Sequence, residues 1–147
     1  MHGINLPRVL LGGSVAGALL WILEALISVW YLNPMQTALS LHELTIEPSV
    51  WLWFWSILIS LLIGLTLVFF YAAVRPRLGS GARPATVVAI ALWLGGYVPA
   101  LVGYEMIKLY PRTLLYVWGL VGLLEMVIAS VAGAWIYREA KPLVPPT

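Results

Sequence analysis

The stretch VLLGGSVAGALLWILEALISVWY, residues 9–31, decides the fold of this chain. A helix rises 1.5 Å per residue, so about 20 apolar residues cross a hydrocarbon core. This stretch exceeds that length and carries one charged side chain, Glu24. The last long run, RTLLYVWGLVGLLEMVIASVAGAWIY at 112–137, repeats the arrangement with Glu125. Two further apolar runs lie between them, at 49–74 and 85–107. The expectation is an all-α, polytopic membrane protein: one four-helix transmembrane bundle over residues 1–147. A carboxyl group within a span costs a few kcal/mol on insertion scales, so the two glutamates mark the places to read closely.

Composition points the same way. Of 147 residues, 62% are apolar and 10% charged, more apolar surface than a water-facing domain would alternate. The segments between runs are too short for an extramembrane domain; the longest covers 32–48. There is no cysteine, which excludes disulfides, thiolate metal sites and cysteine nucleophiles. All six acids are glutamates, and the net charge of +2, without a basic run, does not fit nucleic-acid binding. The first run exceeds the 7–15 residues of a signal-peptide core, so it reads as a retained transmembrane helix.

Charge and proline set orientation and ends. Arg8, Arg75, Arg77, Arg83, Arg138 and Lys141 fall on one side of the four runs, and only Lys108 and Arg112 on the other. The positive-inside rule then places both termini in the cytoplasm. Pro7, Pro48, Pro84 and Pro111 sit at or just before the starts of the runs, where a missing N–H costs nothing. Pro34 and Pro76 are expected to follow helix ends. Trp and Tyr cluster near the run ends, the pattern of an interfacial belt. Between the first two runs, Ala38, Leu41 and Leu44 are spaced for a short amphipathic helix on the outer surface. His42, Glu105 and Lys108 lie on that face as candidate ligand contacts, with Glu105 and Lys108 spaced for an i,i+3 ion pair.

Small residues recur at helical spacing in every run. They are Gly13, Gly17, Glu24 and Ser28 in the first, and Ser56, Ser60 and Gly64 in the second. The third has Ala91, Gly95, Pro99 and Gly103, and the fourth Gly122, Glu125, Ala129 and Ala132. Such faces let helix backbones approach closely in lipid. Gly13, Gly17, Gly64, Gly95, Gly122 and Ala129 are therefore the expected packing positions. Both acids share these faces, so both should look toward other helices. Counted from the outer ends, Glu24 lies roughly 10 Å deep and Glu125 roughly 20 Å deep. Long side chains on neighbouring helices can then meet, and two adjoining carboxyl groups do not ionise together cheaply. Three uses are open: polar glue between helices, a proton or cation relay, and a ligand-binding carboxylate. In the third run, Pro99 cannot donate to the carbonyl of Gly95, so a kink is expected there.

Three segments resemble small four-helix bacterial inner-membrane proteins: INLPRVLLGG at 4–13, YAAVRPR at 71–77 and AGAWIYRE at 132–139. The resemblance implies a bacterial inner-membrane location and brings no activity or catalytic residue with it. The small multidrug-resistance transporters are similar in having four helices and a glutamate in the first. This chain departs from them in the late position of Glu24 and in its second acid, so the likeness is architectural.

Only His2 and His42 are histidines, and the chain has no nucleophile triad, HExxH motif or P-loop. No catalytic residue, metal or cofactor is expected. The first reading is a non-catalytic accessory or structural subunit of a larger membrane complex, or a homo-oligomer. It would meet the lipid bilayer and other membrane subunits or itself. The alternatives are a proton-coupled small-solute transporter or ion pathway through Glu24 and Glu125, and a pigment- or quinone-binding subunit.

Overall fold

The computed structural model describes residues 4–137 and is helical throughout. Arg138, Lys141 and the prolines beyond them lie outside the described residues. The elements are α1 (Leu6–Ser40), α2 (Val50–Leu78), α3 (Ala82–Leu92), a π-helical turn (Trp93–Tyr97), α4 (Val98–Met106) and α5 (Arg112–Ile136). Four helical stretches are long and apolar enough to cross a bilayer: α1, α2, the continuous α3–π–α4 span and α5. This is the architecture of a multi-pass membrane protein.

The helix starts have local causes. Asn5 caps α1, its side chain accepting from the Arg8 N–H, with Pro7 in the first turn. Ser49 caps α2 by accepting from Leu52 N–H at 3.1 Å. Pro111 precedes α5 in extended conformation. Two helix ends differ from the expectation. α1 passes through Pro34 to Ser40, so the separate surface helix is instead the last turns of α1. α2 likewise runs through Pro76 to Leu78. A proline removes one backbone bond, and a long helix with its other bonds intact carries on past it. At 35 residues α1 is about 50 Å long, more than a hydrocarbon core is thick.

α5 touches every other element, whereas α1 and the third span do not touch through their backbones. Close packing is concentrated toward the end that carries Arg8, Arg75, Arg77 and Arg83. An added Cβ at Gly13 would lie 2.7 Å from Leu65 Cα, and at Gly17 2.6 Å from Leu61 Cα. Gly64 faces back onto the Gly13 carbonyl and the Gly17 backbone. On the other flank of α1, a Cβ at Gly12 would meet the Gly133 carbonyl at 2.8 Å. α1 thus presents Gly13 and Gly17 to α2, and Gly12 and Ala16 to α5. In lipid, where burial of apolar groups gives little net drive, such backbone approach is what holds helices together.

Aromatic and polar contacts close the arginine end. Tyr71 and Tyr137 stack edge to face at 6.0 Å, and the Arg75 guanidinium lies 5.7 Å from the centre of the Tyr137 ring. The Tyr71 hydroxyl accepts from Gly81 N–H, and the Tyr137 hydroxyl from Asn5 N–H. Ser130, fully buried, donates to the Ala85 carbonyl at 2.8 Å and ties α5 to α3.

The far end is looser. There α4 and the π turn pack on α5 but not on α1 or α2. Gly95 accordingly departs from the expected packing role: it is exposed, and a Cβ there would meet nothing within 4 Å. Ala91, Pro99 and Gly103 on the same stripe are exposed too. The third span uses its other face, through Trp93, Tyr97 and Leu101, to meet α5.

Candidate functional site

The two intramembrane acids come together. α1 and α5 run antiparallel in one register, marked by Tyr31 beside Trp118 at 5.4 Å, Gly12 on Gly133, and Asn5 bonded to Tyr137. Between these contacts Glu24 faces Glu125, and the two carboxyl groups are in hydrogen-bonding contact. A hydrogen bond between carboxyl groups requires a proton on one of them. Glu125 is 6% exposed, and its Oε1 meets no donor from any other group. The described residues around it leave Glu24 as its polar partner.

Glu24 differs from the expectation in one respect. It lies beside Glu125 but is itself exposed rather than packed. The cause is the gap left where the third span stays away from α1. Glu24 lines a cavity of about 330 Å³ between α1 and α2, together with Trp21, Ser28, Met35, Leu52, Trp53, Ser56 and Ser60. Trp21 donates from its indole N–H to Ser56 Oγ at 3.1 Å, and its ring meets Trp53 edge to face at 6.1 Å. Ser28, on the same stripe as Glu24, donates to the Ala25 carbonyl at 2.9 Å.

Tyr97 is the residue the sequence reading missed. It ends the π turn, and its ring lies over Gly122: a Cβ there would come 2.7 Å from Cζ and 2.9 Å from the hydroxyl oxygen. That places the phenol within electrostatic reach of both Glu24 and Glu125. Gly122 is therefore the floor on which Tyr97 rests, one turn from Glu125. The π turn sets this aim. Val98 N–H bonds to the Trp93 carbonyl, five residues back, just before Pro99, which has no N–H to give. Trp93 anchors the turn by donating to the Gly119 carbonyl at 2.9 Å. A tyrosine at mid-run, beside Gly95-Gly96 and two residues before a proline, was the available signal.

The far-end residues assemble differently from the expectation. Glu105 pairs with Arg112 at 2.7 Å, not with Lys108. Lys108 has a left-handed backbone (φ 55), because it ends α4 in a turn where Leu109 N–H bonds the Tyr104 carbonyl. Glu43 ends α1 the same way, with φ 58. The His42 ring lies 3.2 Å from the Lys108 carbonyl, joining the two helix ends. Asn33, Pro34, Thr37, His42, Lys108 and Tyr110 border a cavity of about 680 Å³ at this end, separate from the acids. Tyr104, Tyr110, Trp118 and Tyr31 form a chain of edge-to-face rings beside it.

Among the described residues, no three His, Asp or Glu side chains converge as a metal site would require. What the Glu24, Glu125 and Tyr97 group can do is hold a proton, hand it over, or balance a cation. Comparison with protein-family models, curated proteins and solved structures returned no match.

Proposed function

We propose that this chain is an integral protein of the bacterial inner membrane in which Glu24 and Glu125 bind and release a proton within a proton-coupled pathway. The observation that carries this reading is the carboxyl pair itself. It lies deep within the spans, one member buried and the other open to a cavity. A residue serving only as glue has no need of an open side. Intramembrane acids that line a cavity are the usual material of proton relays.

The arginine asymmetry supports placing the closed end in the cytoplasm and the open end outside. The chain would then stand in its outward-open form, with the glycine contacts of α1, α2 and α5 as the inner seal. The kink expected in the third span would serve the same reading. Pro99 and the π turn give it a point about which α4 can swing toward α1 and close the cavity over Glu24.

Reconstitution into vesicles with an internal pH dye tests the proposal. Wild type should pass protons down an imposed gradient. Glu24→Gln and Glu125→Gln, which keep shape but hold no exchangeable acid proton, should fold and fail to do so. Equal flux in all three overturns the reading.

A second reading, an accessory subunit or homo-oligomer, is favoured by the exposed Ala91, Gly95, Pro99 and Gly103 stripe. Under it the acids are glue, and the glutamine variants keep both fold and partner.

A further inference from the structure

The turn between α2 and α3 brings two arginines to one place. Arg77 stands in the last turn of α2 and Arg83 in the first turn of α3. Between them Gly79 and Gly81 hold positive φ, 83° and 110°, which glycine adopts at no steric cost. The Tyr71 hydroxyl accepts from Gly81 N–H at 3.1 Å and pins the turn. Both arginines then border a cavity of about 300 Å³, with Leu78, Pro84 and Val87 as its apolar wall. Both are exposed, and among the described residues neither has an acid partner. The described glutamates lie in mid-span, at 24 and 125, or at the far end, at 43, 47 and 105. Arg75 lies instead over the Tyr137 ring. The cavity thus presents two guanidinium forks, whose paired N–H groups match the oxygens of a phosphate. The start of α3, which no side chain caps, adds a positive dipole end to the same spot.

The apolar wall selects among phosphates. Arg83, Val87, Ile90 and Leu94 recur at steps of four, three and four, one face of a helix. Val87, Ile90 and Leu94 are 47%, 39% and 54% exposed, so an aliphatic strip runs from the cavity along the side of the third span. A free phosphate would touch the arginines alone, whereas a phospholipid would use both features. We infer that the cavity between Arg77 and Arg83 holds the phosphodiester of an anionic glycerophospholipid, with an acyl chain laid along Val87, Ile90 and Leu94. A zwitterionic lipid carries a cation beside its phosphate, which two arginines repel, so the site favours a head of net negative charge. Occupied, it clamps the end of α2 to the start of α3. The carboxyl pair lies in mid-span and takes no part.

The test uses the full chain in mild detergent, mixed with phosphatidylglycerol or with phosphatidylcholine of the same acyl chains. Native mass spectrometry counts the lipids retained and compares their affinities. Wild type should keep one phosphatidylglycerol per chain at concentrations that leave phosphatidylcholine unbound. An arginine beside an anionic head is worth about fivefold in affinity. Arg77→Gln and Arg83→Gln should each weaken retention by about that factor, and both should melt with wild type in lipid-free detergent. Arg8→Gln removes an exposed arginine at the same end but off the cavity, and should leave retention unchanged. Millimolar inorganic phosphate should not displace the lipid. Equal retention of the two lipids, or equal weakening by Arg8→Gln, overturns the inference: the arginines then act only through general surface charge. Displacement by inorganic phosphate overturns it in favour of a free phosphate. Wild-type retention in Arg77→Gln and Arg83→Gln shows that the cavity is not the site.

Discussion

Consider an alanine at Gly17. The new Cβ would lie 2.6 Å from Leu61 Cα and 2.7 Å from the Ser60 carbonyl oxygen, where ordinary contact begins at 3.4 Å. Both atoms are backbone, so no side chain can swing aside. α2 must retreat by nearly an ångström, and the neighbouring contact of Gly64 with Gly13 loosens with it. Overpacking of this kind costs about 1–3 kcal/mol, with leucine at the upper end. The same change at Gly95 meets nothing within 4 Å and gains up to about 1 kcal/mol from alanine's better helix propensity. The pair forms an internal control, since both are glycines within spans. Thermal unfolding of the detergent-solubilised monomer reads the difference, at about 2–4 °C per kcal/mol for a chain of this length. Gly17→Ala should melt several degrees below wild type and Gly95→Ala at or above it. If Gly17→Ala melts with wild type, the backbone contact of α1 with α2 is wrong. If Gly95→Ala falls as far in the monomer, the Gly95 face of the third span packs against another helix after all.

Other consequences follow from single contacts. Ser130→Ala removes a buried hydroxyl that bonds the Ala85 carbonyl and should cost about 1 kcal/mol, read as a lower melting temperature. Glu43→Gly and Lys108→Gly should each stabilise by about 0.5–1 kcal/mol, since both residues hold positive φ. Burial first, and Tyr104 second, push the Tyr110 hydroxyl above the ordinary phenol range. Its contribution to stability is then complete below the unfolded value of about 10 and lost as pH rises through the higher folded one. Tyr110→Phe should flatten the alkaline fall in melting temperature by that share. Single cysteines at Ser40 and Ser80 should react with an impermeant thiol reagent in intact cells at position 40 and not at position 80.

The reach of the sequence can be seen residue by residue. The four apolar runs and their proline starts were legible because the bilayer fixes helix length and a missing N–H is tolerated only in a first turn. Gly13, Gly17 and Gly64 were legible as packing positions because small residues repeat at helical spacing on one face. That same rule misled at Gly95. A small-residue face says that approach is allowed, and only the path of the third span decides whether a partner comes. The meeting of Glu24 with Glu125 was also harder to read. Depth counted from run ends assumes that helices start level, yet α1 continues through Pro34 to Ser40. The inter-helix register is set instead by Gly12 on Gly133 and Tyr31 beside Trp118. Tyr97 lies at mid-run, on no small-residue stripe and outside the aromatic clusters of the run ends, so neither pattern marked it. Its aim depends on a π turn, and a π turn leaves no hydrophobic period to detect. The pairing of Glu105 with Arg112 in place of Lys108 follows from a left-handed residue, and a lysine in that conformation carries no sequence signal.

The central claim is that Glu24 and Glu125 share a proton at the edge of an open cavity. Infrared difference spectroscopy of the full chain at neutral pH, with and without transfer into heavy water, tests it most directly. A protonated carboxyl has a carbonyl band distinct from that of a carboxylate, and the band shifts when its proton exchanges. The account predicts one such band in wild type, shifting promptly in heavy water because Glu24 is open to the cavity, moved in frequency by either Glu24→Gln or Glu125→Gln and absent when both are changed. Two fully ionised carboxylates in wild type, or a band that survives unchanged in the double variant, would contradict it.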